Sequence, residues 1–210
     1  MLAGHPIRRT LPRGRTLTLG LALAVITACG GLLAKPRPDN TRFYTLATPA
    51  PEGGRGDSSL AVGLGPNTWP GYLDRPQLVT RIDDERIVLA PADRWAEPLR
   101  TQFERGLSYH LMSVLGTDDV VVFPWWPARR IDVIVEVNVR SFEAAVDGFA
   151  HADVLWTVKG AHHDKSLRTG QRSIREPISP GGTEQAVAAL GRALGQIGDA
   201  IADDVRREAP

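Results

Sequence analysis

The sequence holds a single cysteine, Cys29, so it can form no internal disulfide and no cysteine-rich metal site. Its one long apolar run, Leu17 to Ile26, is about ten residues, and a helix that spans a bilayer needs roughly 20. Long basic runs are absent, which argues against a nucleic-acid partner. No G-x-S-x-G nucleophile elbow, phosphate loop or H-E-x-x-H motif occurs, and no G-x-G-x-x-G opens a helix. No repeat of 20–50 residues is evident. These absences remove the common signatures of hydrolases, nucleotide-binding enzymes, zinc proteases and solenoids.

What the sequence has begins with an organised leader. Met1 to Thr16 carries Arg8, Arg9, Arg13 and Arg15 and no acid; the apolar run follows, and the small residues Thr27 and Ala28 precede Cys29. A charged region, an apolar region and a small-residue cleavage site make a secretory signal. Ile26-Thr27-Ala28-Cys29 resembles the bacterial lipobox, which implies lipidation of Cys29 as the first mature residue. A lone free thiol would be a liability in an exported protein, and acylation removes it. Acyl chains stabilise attachment by roughly 0.8 kcal/mol per buried methylene. The expected organisation is a signal over 1–28, a tether over 29–40 with Pro36 and Pro38, and one domain over 41–210. Without the four leader arginines, 21 basic residues face 24 acidic ones, so the mature chain is mildly acidic.

Alternation and helical spacing set the fold expectation. Short strands are predicted at Thr41 to Leu46, Leu60 to Leu64, Gln77 to Ile82, Arg86 to Leu89 and Val120 to Phe123. Leu99, Phe103, Leu107, Leu111 and Leu115 make one apolar stripe, so a helix is predicted from about Trp95 to Leu115, capped by Asp93 and stopped by Gly116. Val133, Val135, Val137 and Val139 alternate with polar residues, and so do Ala150, Ala152, Val154, Trp156 and Val158. A turn at Asp147-Gly148 joins them as an antiparallel hairpin, and Arg168 to Arg175 adds a third strand. Val187, Leu190, Leu194, Ile197, Ile201 and Val205 form the face of a last helix from Thr183. Gly191, Gly195 and Gly198 within it are read as sites of close packing. The fold class is α/β: a single domain with a mixed, largely antiparallel sheet and two principal helices packed on it.

Candidate chemistry is sparse. His162-His163-Asp164 is the best metal-like cluster, but further ligands are not evident, and a solvated turn is expected. His110 and His151 are read as structural. Asp83-Asp84-Glu85 is an exposed turn without an apolar pocket to shift its pKa values. Arg55-Gly56-Asp57 is a chance tripeptide in a loop. No catalytic residue, metal or other cofactor is expected. Trp69, Tyr72 and the pair Trp125-Trp126 stand in loops, where aromatics either contact partners or lipid or pack over a sheet edge.

The stretch GYLDRPQLVTR, Gly71 to Arg81, together with GLGPNTWP before it, DRWAEPL at Asp93 to Leu99 and FPWW at Phe123, resembles the ABC-type transport auxiliary lipoproteins, in particular the paraquat-inducible protein C (PqiC) branch. The resemblance covers about Arg42 to Val205. It implies a non-enzymatic accessory subunit, anchored by lipid at the periplasmic face of the outer membrane. That subunit would work with a mammalian-cell-entry (MCE) domain protein that moves phospholipid between membranes; homo-oligomerisation is left open. Gly30 after the cysteine, where aspartate would favour inner-membrane retention, agrees with the outer membrane under the sorting rule of that lipoprotein class. Trp69, Tyr72, Leu73, Asp74 and Arg75 are the expected partner-binding residues, in a loop long for a compact fold. The competing readings are a lipid-anchored periplasmic enzyme, such as a hydrolase, and a purely structural envelope lipoprotein.

Overall fold

A computed structural model describes residues 38–47, 58–160 and 166–208. Cys29 and the leader, Arg55-Gly56-Asp57 and His162-His163-Asp164 lie outside the described residues. The contacts divide the chain into Met1–Asp39 and Asn40–Pro210.

Eight strands form one sheet. They are β1 (Arg42–Tyr44), β2 (Val62–Leu64), β3 (Gln77–Arg81), β4 (Ile87–Trp95), β5 (Val120–Val122), β6 (Val133–Ala145), β7 (Phe149–Gly160) and β8 (Ser166–Pro177). Two α-helices, α1 (Leu99–Leu115) and α2 (Thr183–Glu208), supply the second layer. The long strand β6 organises the sheet. One of its edges pairs antiparallel with β7, which pairs antiparallel with β8. The other edge is shared: β2 runs parallel to its first residues, Val133 to Val135, and β3 parallel to its last, Ala144 and Ala145. β5 extends the sheet from β2, and β4 then β1 extend it from β3.

The sheet is mixed, as expected, but not largely antiparallel. Of the seven ladders between named strands, those of β1–β4, β2–β5, β2–β6 and β3–β6 are parallel. The parallel strands are short and separated in sequence by other elements, so their orientation depends on chain return and leaves no local mark.

The apolar patterns land where their periods place them. Leu99, Phe103, Leu107 and Leu111 of α1 are buried, as are all six predicted face residues of α2. Val133, Val135, Val137 and Val139 of β6 are buried, as are the five alternating residues of β7. A register shift between Val139 and Ser141 changes the phase of β6, so Phe142 and not Ser141 enters the core. Phe142 meets Phe103 edge to face at 5.2 Å.

Two local expectations need correction. Strand β4 is nine residues long and runs to Trp95, beyond the predicted Leu89. Its pairing with β1 at Asp93, Arg94 and Trp95 keeps that segment extended. Consequently Asp93 does not cap α1. The helix starts at Leu99 after Pro98, with no side-chain cap, and Asp93 is a buried strand residue paired with Arg42. Gly116 ends α1 in the left-handed region at φ 63°, as predicted.

Tight approach explains glycines of α2. A Cβ at Gly198 would lie 2.3 Å from the His110 ring, and one at Gly191 3.0 Å from the Ala47 carbonyl oxygen. Close packing is therefore the reading the structure supports. His110 is wedged between the helices with its Nε2 2.8 Å from Asp199 Oδ1. His151 is likewise structural, held 2.9 Å from Asp147 Oδ2 beside Arg175.

Candidate functional site

The stretch from Trp69 to Arg81, a loop to Pro76 and then β3, crosses from the β2 side to the β3 side of the edge they share on β6. Asn67 anchors its start: its side-chain oxygen accepts from the Val137 amide at 3.0 Å, and Thr68 forms a single bridge to Asn138. Trp69 then turns inward. Its indole meets Phe103 at 5.4 Å and Phe142 at 6.4 Å, joining both helix and sheet. A short 3₁₀ turn, Gly71–Leu73, follows and buries Leu73, which is 2% exposed.

Tyr72 reaches a buried carboxylate that sequence reading passed over. Glu143 of β6 is 1% exposed. Its Oε2 accepts from the Tyr72 hydroxyl at 2.8 Å and from the Phe142 amide at 2.8 Å, and its Oε1 accepts from Arg81 Nε at 2.6 Å. Arg81 Nη2 also donates to the Tyr72 oxygen, and its guanidinium lies 5.6 Å over the Tyr72 ring. Burial, reinforced by the Glu143 charge, pushes the Tyr72 phenol up to about 12. Burial opposes the Arg81 charge, yet its hydrogen bond to Glu143 leads the effects that hold its pKa above the usual arginine value. The signal in the sequence was faint: a glutamate in the apolar stretch SFEAA, where strand phase would put it either in solvent or in the core.

Asp74 and Arg75 face outward from this base. Asp74 is exposed and Arg75 half-buried. With Pro76 they line a cleft of about 330 Å³ whose other wall is Ala96, Glu97 and Pro98. Arg75 Nε is buried and has no hydrogen-bond partner among the described residues. The five predicted residues thus come together in one loop but divide in role: Trp69, Tyr72 and Leu73 hold it against the domain, while Asp74 and Arg75 border its open side.

The other aromatic pair also divides. Trp125 folds over Gly63 and meets Phe123 edge to face at 5.3 Å, whereas Trp126 is 83% exposed. The Asp83 turn is a solvent-side clasp, its carboxylate held below the usual range by Arg86. Among the described residues, no group of three or more His, Cys, Asp or Glu side chains is placed to hold a metal ion, and no helix is long and apolar enough to cross a membrane.

Comparison with known proteins places this geometry. The family model described as ABC-type transport auxiliary lipoprotein component matches residues 44–202. No curated protein matches the chain. Among solved structures, an uncharacterized protein is similar at 20% identity with a TM-score of 0.66, covering 79% of this chain and 98% of its own. Protein XCC0632 from Xanthomonas campestris, of the family model DUF330, is similar at 16% identity with a TM-score of 0.64, covering 77% and 93%. At these identities the two structures establish the fold.

Proposed function

The chain belongs to the ABC-type transport auxiliary lipoprotein components, and from that premise we propose that it is the outer-membrane-anchored accessory subunit of an MCE-type system carrying phospholipid between membranes. In this reading it performs no catalysis. It docks onto the MCE-domain protein of its own system and is held to the periplasmic face of the outer membrane by lipid on Cys29.

The family match over residues 44–202 carries the proposal, because it spans strands β2 to β8, all of α1 and most of α2. The stretch from Trp69 to Arg81, loop and strand β3 together, is the proposed docking element. Tyr72, Arg81 and Glu143 stiffen it through three mutual hydrogen bonds. A stiff loop loses less conformational entropy on binding than a loose one. On its open side Asp74 is exposed and Arg75 half-buried, and a partner surface of complementary charge would enter the cleft that they share with Glu97 and Pro98.

Affinity purification of the tagged full chain from membranes tests the proposal. The MCE-domain protein of the same system is expected in the eluate, at a level reduced by Arg75→Ala. Recovery of the chain without any MCE-domain protein, under conditions that retain other envelope complexes, refutes the partnership.

A further inference from the structure

A cavity of about 400 Å³ opens at the end of the domain where β1 begins, between β3–β4 and the first turns of α2. Its walls are apolar: Leu73, Leu78, Leu99, Phe142, Val146 and Ile178. The exposed segment Ser179 to Gly182 forms its mouth, with Thr183 at the rim. Its lining extends along α2 from Thr183 to Leu190, residues about 10 Å apart by the rise of a helix.

The space is an open-mouthed cleft, not an enclosed core void. Here the space follows from residue size. Ala90, Ala144, Ala145 and Ala186 stand where larger side chains would close it. The volume lies within the range of ligand sites. Among the described residues the only ionisable group in the wall is Glu143, and its carboxylate is already committed to Tyr72, Arg81 and the Phe142 amide. The interior therefore asks for no polar or charged ligand atom. Hydroxyls of Thr80, Ser179 and Thr183 mark the approach, where a polar end would remain.

We infer that this cavity takes the acyl chain of a membrane lipid, end on, with the polar end at the Ser179–Thr183 mouth. Its volume of about 400 Å³ gives room for part of one acyl chain. Arg42, the first residue of β1, bonds Asp93 at 2.7 Å, and Asp93 accepts from Thr183 of the rim at 2.6 Å, which ties the rim to the sheet edge. The inference rests on the proposed function only for the source of the lipid; the site itself rests on the cavity.

The test uses the full chain in phosphatidylcholine vesicles with a diazirine-bearing dodecanoic acid, irradiated and mapped by peptide mass spectrometry. Adducts are expected on the peptides of Leu73 to Val79 and Ile178 to Leu190, competed by excess unlabelled dodecanoic acid. Ala186→Phe and Ala90→Phe fill the cavity, and at least one of them is expected to cut that labelling tenfold or more while its melting temperature stays near wild type. Labelling confined to other peptides, labelling that excess dodecanoic acid does not compete, or full labelling in a folded filled variant overturns the inference. Recovery of the MCE-domain protein with the same variants is read separately, so loss of the acyl site and loss of the partnership are distinguishable.

Discussion

Substituting alanine at Gly195 and Gly198 of α2, three residues apart, should move stability in opposite directions. In an open helix each change gains up to roughly 1 kcal/mol of helix propensity. At Gly195 the new Cβ would sit 3.7 Å from His110 Cε1, an ordinary contact, so the gain is kept. At Gly198 it would sit 2.3 Å from His110 Cδ2 and 2.9 Å from Cγ. Carbon atoms prefer about 3.5–4.0 Å, so the ring must retreat by about 1 Å. It has little room, being 15% exposed and held by Asp199. Overpacking of this kind costs about 1–3 kcal/mol. Set against the propensity gain, Gly198→Ala should lose about 1 kcal/mol net, or about 2–4 °C in a domain of this size, and Gly195→Ala should gain a similar amount. Thermal and urea unfolding of the wild type, both variants and their His110→Ala counterparts complete a double-mutant cycle. In the His110→Ala background, Gly198→Ala should turn stabilising, with a coupling of about 1–3 kcal/mol to His110. If Gly198→Ala stabilises the protein with His110 intact, or shows no coupling to His110, the packing argument is refuted.

Four other perturbations follow from the loop and the leader. Glu143→Ala leaves Arg81, the Tyr72 hydroxyl and the Phe142 amide without their acceptor, and should cost about 2–4 kcal/mol in urea unfolding. The Tyr72 phenol, raised to about 12 in the folded state above about 10 unfolded, contributes stability that is complete below pH 10 and is lost as pH rises toward 12; Tyr72→Phe should flatten that alkaline decline in unfolding titrations. Asp74→Ala and Arg75→Ala should leave the melting temperature near wild type while weakening partner recovery, whereas Trp69→Ala, which strips a ring from Phe103 and Phe142, should lower it by several degrees. Mass spectrometry of protein extracted from membranes should find an acylated N-terminal Cys29, and Cys29→Ser should release the mature chain from the membrane fraction.

Periodic burial was legible in the residues themselves. A helix face repeats every three or four residues and a half-buried strand every two, so Leu99 to Leu111, Val187 to Val205, Val133 to Val139 and Ala150 to Val158 announced both helices and the central hairpin before any contact was known. The Gly116 stop and the Asp147-Gly148 turn were equally plain, because each depends on backbone geometry that few residues adopt. The family resemblance was also readable, from GYLDRPQLVTR and its neighbours in order. What only the tertiary structure decided are the features set by residues far apart in the chain. Asp93 looked like a helix cap and became a strand residue because β1, 51 positions earlier, pairs with it through Arg42. Parallel pairing of β2, β3 and β5 leaves no periodic trace, since short strands read alike in either direction. The phase shift that puts Phe142 in the core, and with it Glu143 under Tyr72 and Arg81, arises from one irregular step in the β6–β7 register. The cavity is the extreme case: four alanines at separate positions are unremarkable in sequence, and only the packing of α2 over β3 and β4 turns their missing volume into one space.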